Sequence, residues 1–268
     1  MFSEYLRFFL YGLIQGLTEF FPVSSTAHLK IISLFFGFED PGSSLSAIIQ
    51  FGSVIALVWY FRNYFFILKN QSSKNIFDYL IHERLFRSIF ISTIPIVLLG
   101  GAIKLFVPYF FDEILRSNLS IALVSFLMAI FMYIAERSKK GSINLINHEY
   151  ADSLLIGLSQ ALAIFPGVSR SGVTISTALV SGWRRSDAAK FSFLLGMPSI
   201  SFAAIVEFIS YFNKFSSFSF GPLIVGLTTT FFSSLFAIHF LLKYFSSNGL
   251  KLFIIYRIIF GVVILLNL

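Results

Sequence analysis

The run GLIQGLTEFFPVSSTAHL, Gly12 to Leu29, is an apolar helix carrying polar groups that no lipid-facing helix needs. Gln15 and Glu19 stand one turn apart and share a face. Pro22 interrupts the helix, and Ser24, Ser25 and Thr26 supply three consecutive hydroxyls before His28. A second run, GLSQALAIFPGVSRSGVT at 157–174, repeats the pattern 145 positions later without a gap. Gly12 falls on Gly157, Leu13 on Leu158, Gln15 on Gln160, Leu17 on Leu162, Phe20 on Phe165, Val23 on Val168 and Ser24 on Ser169. Two related halves make up the chain, and its expected architecture follows from that.

The composition places these halves in lipid. Of the 268 residues 56% are hydrophobic and only 12% charged, against roughly 25% charged in soluble domains. The 36 Phe suit lipid-facing surface better than a soluble core. The absence of Cys excludes disulfides, a thiolate nucleophile and a Cys-based metal site. No basic segment precedes the first apolar run, and Glu4 and Arg7 flank it, so it reads as mature protein rather than a signal peptide. Six apolar runs approach the roughly 20 residues a span needs: 43–61, 85–107, 117–136, 188–212, 219–242 and 250–266. Residues 2–36 and 152–182 differ, each being two apolar pieces broken by proline. Their second pieces are too short to cross, and broken backbone is tolerated at membrane depth only inside protein or beside a cavity. They read as re-entrant helical hairpins.

The expected fold is therefore a single all-α integral membrane domain, 1–268, with six transmembrane helices and two re-entrant hairpins. One repeat covers about 2–136 and the other about 152–266. A hairpin followed by three spans inverts the second half relative to the first, and inverted repeats with matching broken segments place a polar site near the midplane. Charge gives the orientation. Lys and Arg gather in 62–87, 137–140, 184–190 and 243–251, which positive-inside places in the cytoplasm, leaving both termini outside. The net charge of +7 thus reflects topology and not a nucleic-acid surface. His82, His148 and His239 fall in loops or near span ends and are expected to be solvated or interfacial.

An ionised side chain at the bilayer centre costs about 2.5–3.5 kcal/mol and usually serves function. Glu19 and Arg170 occupy the two breaks. If the tips meet, two short helices begin at one point, each bringing free N–H groups and roughly half a positive charge. Ser24, Ser25, Ser169 and Ser171 add hydroxyls, and Arg170 a planar fork. The assembly suits a phosphate or diphosphate. Glu19 would carry a proton, relay one, or hold a divalent cation. Duller readings exist: Glu19–Arg170 as a structural ion pair, Ser24 and Ser169 as helix caps, and Gln160 as an echo of Gln15 bonded within its hairpin. Arg257, inside a span, has no assigned role.

At these residues a resemblance becomes specific. Gln15 and Glu19, continuing into PVSSTAH with His28, and the PGVSRSGVT run resemble the undecaprenyl-diphosphate phosphatase family, also called bacitracin-resistance proteins. The resemblance implies removal of the terminal phosphate from a C55 isoprenyl diphosphate, which recycles the carrier for cell-wall peptidoglycan synthesis. It also implies a divalent cation, Mg2+ or Ca2+, a location in the bacterial inner membrane, and a site opening to the outer face. Carried over by position, Glu19, Ser25, His28 and Arg170 become the catalytic candidates. Gln15, Ser24, Thr26, Ser169, Ser171 and Thr174 become substrate contacts. Glu19 is the metal ligand, with Gln15 a candidate second one. Because position 15 is Gln, one carboxylate is certain rather than two, which weakens any scheme that needs a paired-carboxylate cage.

Several alternatives stay open at this level. The nucleophile is either Ser25 assisted by His28, or a water activated by His28 or Glu19. Broken inverted repeats also fit a transporter of the polyprenyl phosphate carrier. Against transport, the halves are chemically unequal, since Glu19 falls on Ile164 and His28 on Val173. Another lipid phosphatase class is excluded: no PSGH run occurs, and Ser176 stands six residues after Arg170. A homodimer is one assembly the sequence allows.

Overall fold

The computed structural model describes residues 2–38, 42–71, 84–106, 115–138, 141–211 and 220–266. In chain order its helices are α1 (Phe2–Phe20), α2 (Ser25–Phe36), α3 (Gly42–Gln71), α4 (Arg84–Phe106) and α5 (Asn118–Arg137). They continue with α6 (Tyr150–Ala161), α7 (Arg170–Val180), α8 (Arg185–Tyr211), α9 (Phe220–Ser247) and α10 (Lys251–Leu266). A 3-10 turn, Leu162–Ile164, prolongs α6. Among the described residues five helices, α3, α4, α5, α8 and α9, are long and apolar enough to cross a membrane. Their outer faces stay apolar: Phe90, Leu98, Leu127, Ile205 and Phe232 are exposed, a surface that suits lipid and not water. The protein is all-α and multi-pass. The expected span 250–266 corresponds to α10, whose 16 residues rise about 24 Å, less than the roughly 30 Å of hydrocarbon.

Each break has a local cause. Pro22 cannot continue α1, so residues 21–23 turn and α2 starts at Ser25. Ser24 accommodates the reversal at φ 77°, a left-handed conformation a residue with a Cβ rarely adopts. In the second hairpin the reversal falls on Gly167, at φ 92°, where no Cβ resists it.

Small residues bring the hairpins against the long helices. Gly12 and Gly16 let α1 lie directly on α9, where Ser233 donates to the Gly12 carbonyl at 3.2 Å. A Cβ on Gly16 would sit 2.8 Å from the Ser234 nitrogen. In the other half α6 lies on α4 at Gly157, the counterpart of Gly12, and Ser92 donates to the Ser153 carbonyl at 2.5 Å. Close backbone approach of this kind is how helices associate in lipid. The halves interlock: the first helix of each packs on the fourth helix of the other, and α5 packs along α10. Phe20, Phe193, Leu195 and Ile175 fill the largest core cluster, next to both breaks.

Two expectations are corrected here. His148 is fully buried instead of solvated, its ring against Trp183 and its Nε2 2.9 Å from the Ser88 hydroxyl. Gln160 bonds outside its hairpin, its side-chain oxygen accepting from Ser199 of α8 at 3.2 Å. His239 is exposed as expected, and His82 lies outside the described residues.

Candidate active site

The two breaks meet. Ser169 and Ser171, at the start of α7, both donate to the carbonyl of Phe21 in the first break, at 3.3 and 3.1 Å. Ser169 also caps its own helix by accepting from Gly172 N–H at 3.1 Å. Ser24 makes no corresponding cap on α2; its hydroxyl lies 3.2 Å from that of Thr26. The first turn of α2 therefore begins without a side-chain partner, which leaves its N–H groups for an anion.

Glu19 is the hub. Its Oε1 accepts from Arg170 Nη2 at 3.1 Å, and its Oε2 from Gln15 Nε2 and Ser25 Oγ, both at 2.9 Å. Gln15 and Glu19 are nearly completely buried, Ser25 is half-buried and Thr26 exposed, so access runs over the first turn of α2. Arg170 also donates from Nη1 to the Ser192 carbonyl at 3.1 Å, and its buried Nε has no partner among the described residues. Thr174 stands behind it, bonded to the Arg170 carbonyl at 2.8 Å and the Ser192 hydroxyl at 2.7 Å. Gly196 makes room for the guanidinium, since a Cβ there would sit 2.5 Å from Arg170 Cζ.

Seven of the ten site residues expected from sequence fall into two groups, with Ser24, Thr26 and His28 outside both. Gln15, Glu19, Ser25 and Arg170 form one continuous hydrogen-bonded chain. Ser169, Ser171 and Thr174 lie beside it, with hydroxyls engaged by backbone carbonyls. His28 does not reach Ser25. Its Nδ1 donates to the Ser24 carbonyl at 2.6 Å, so in the neutral ring Nε2 accepts from the Tyr256 hydroxyl, also at 2.6 Å. The ring stacks on Phe260 with centroids 4.2 Å apart. Ser25 has a carboxylate as its neighbour, not an imidazole.

Arg257 is the residue that sequence reasoning left without a role. It is fully buried, donating from Nε to the Pro22 carbonyl at 2.7 Å and from Nη1 to the Gly167 carbonyl at 3.2 Å. Those two carbonyls are equivalent under the internal repeat, so one guanidinium ties both breaks together. Its Nη2 has no partner among the described residues. Ser125 of α5 fixes the backbone there by donating to the Arg257 carbonyl at 2.9 Å.

Comparison with known proteins places the chain in a family. The model of the bacitracin resistance protein BacA family matches residues 8–263. The chain belongs to that family. A Prochlorococcus marinus (strain MIT 9312) protein named undecaprenyl-diphosphatase is 87% identical over 268 residues, all of both chains. One of the same name from strain MIT 9215 is 75% identical, over 99% of this chain and 100% of that one. A more distant BacA-family relative, again named undecaprenyl-diphosphatase, from strain NATL2A, is 43% identical over 96% and 94%.

The fit of a divalent cation can be read from the donors. Glu19 is the lone carboxylate in the chain of contacts, and no group of three His, Asp or Glu able to hold a metal occurs among the described residues. Such a donor set suits a cation that takes most of its oxygens from phosphate and water, as Mg2+ does; Ca2+ asks for 6–8 oxygens.

Proposed function

We propose that this chain hydrolyses undecaprenyl diphosphate to undecaprenyl phosphate and inorganic phosphate, returning the lipid carrier to cell-wall synthesis and so conferring bacitracin resistance. The observation that carries the mechanism is the 2.9 Å contact from Ser25 Oγ to Glu19 Oε2, within a carboxylate held on its other oxygen by Arg170. Ser25 Oγ attacks the terminal phosphorus while its proton passes to Glu19. The bond from that phosphorus to the bridging oxygen breaks, and its electron pair leaves on undecaprenyl phosphate. Glu19 gives that proton to the departing undecaprenyl phosphate; water then attacks the phosphoserine while its proton passes to the freed carboxylate and from there to the leaving Ser25 Oγ, releasing phosphate and Ser25. Arg170 and the uncapped start of α2 stabilise charge on the phosphoryl oxygens. His28 holds the turn before α2 rather than the nucleophile. Glu19, with the Gln15 side-chain oxygen, would hold a divalent cation against the phosphates, and that ion would neutralise further charge. Trapping phosphate on Ser25 after rapid quench tests the covalent step; full turnover by Ser25→Ala contradicts it.

The same reading includes the topology. Six spans and two re-entrant hairpins, inverted between halves, are supported by the interlocked packing and by the meeting of the two breaks. Charge distribution supports a bacterial inner-membrane orientation with both termini and the site opening to the outer face. The transport alternative gains no support from the site, whose acid–base groups all lie on one half.

A further inference from the structure

A cavity of about 390 Å3 opens beside the second hairpin, between α5 and the turn that leads into α7. Its walls are apolar. Val124, Leu127 and Met128 of α5 face Leu162, Val168 and Val173. Ser159 also borders it, but its hydroxyl turns back to the Ile156 carbonyl at 2.7 Å. Leu127 and Leu162, 64% and 50% exposed, stand at its mouth, so the cavity opens towards lipid. Its inner end is Val173, which is buried.

The cavity and the head-group site share α7. Arg170 and Thr174, a turn apart, face Glu19 and Ser192, whereas Val173 and Thr177 occupy the adjoining face and line the cavity. Val168, at its edge, immediately precedes Ser169. In the first half His28 holds the position of Val173 and stacks with Phe260 and Tyr256. The cavity thus lies beside the second hairpin, where an apolar Val173 stands in place of the first half's imidazole.

We infer that this cavity is the binding site for the first isoprene units of the lipid substrate, an inference that rests on the proposed hydrolysis. One ester bond joins the diphosphate to its chain, so the first units must lie directly beside the head-group site. An apolar recess open to lipid takes them without exposing polar backbone. Leu127→Trp and Ser120→Phe fill the recess from two sides and touch none of the catalytic groups. In both variants the KM for C15 and C55 isoprenyl diphosphates should rise about tenfold, with kcat and inhibition by inorganic phosphate unchanged. An unchanged KM for both substrates in both variants overturns the cavity assignment; no hydrolysis by the wild type overturns the function instead. A C15 diphosphate analogue with a diazirine on its first isoprene unit reads the site independently of turnover. Labelling of α5 between Ser120 and Phe131, competed by C55 diphosphate, is the expected result. Labelling competed by phospholipid alone would mean an ordinary acyl chain occupies the recess, and the inference fails.

Discussion

At the residue scale, Glu19 organises the site because three donors from three places converge on it. Gln15 comes from its own helix, Ser25 from across the first break and Arg170 from the second hairpin. Each neighbour fixes the carboxylate in one orientation, and the orientation presents Oε2 to the Ser25 hydroxyl. Replacing Glu19 with Gln keeps the shape and removes the base, so kcat should fall by about 10²–10⁴, measured as phosphate release. Arg257 acts differently, through backbone. Among the described residues it pairs with no carboxylate, and it satisfies the carbonyls of Pro22 and Gly167 from opposite halves. Arg257→Met leaves both buried carbonyls unpaired, at about 1–3 kcal/mol each. Thermal unfolding in detergent should show a lower Tm, and kcat should drop while the inhibition constant for inorganic phosphate changes little. An unaltered Tm would contradict the tie between the breaks.

At the element scale, the hairpins depend on glycine at the points where α1 meets α9 and α6 meets α4. Gly16→Val would press its side chain on the Ser233–Ser234 backbone, and Gly157→Val on Ser92. Each should destabilise the protein by about 1–3 kcal/mol, read as a lower Tm. How much of this was legible in the sequence depended on whether the cause was local. The helices and the two breaks could be read because hydropathy, Pro22, Pro166 and Gly167 act within a few residues of themselves. Gln15, Glu19, Ser25 and Arg170 could be read because the repeat brought their motifs into register. His28 paired with Tyr256, and Arg257 with Pro22 and Gly167, could not be read. Those partners lie more than 80 residues away in sequence, and two of them are backbone carbonyls that no residue type marks. For Ser24 the duller reading fails for a related reason: a serine before a helix signals a cap, but Ser24, with its left-handed φ, makes no side-chain cap bond.

At the scale of the whole molecule, two related halves make one unequal site. The first contributes the carboxylate and the hydroxyl, the second the guanidinium and the apolar recess, and α10 holds the two breaks together. Because the chain contains no Cys, an Asn147→Cys variant provides a clean topology probe. Impermeant maleimide should label it in inverted vesicles and not in intact cells; labelling of intact cells would reverse the orientation. Removing divalent cations with a chelator should abolish turnover, and Mg2+ should restore it more fully than Ca2+. The central claim is that Glu19 and Arg170, joined across the two breaks, form a phosphatase centre. It is tested most directly by phosphate release from C55 isoprenyl diphosphate, comparing the purified wild type with Glu19→Gln and Arg170→Ala. The wild type should release phosphate while each variant, folded to the same Tm within a few degrees, loses at least about a hundredfold in kcat. Wild-type rates in both variants would contradict the account.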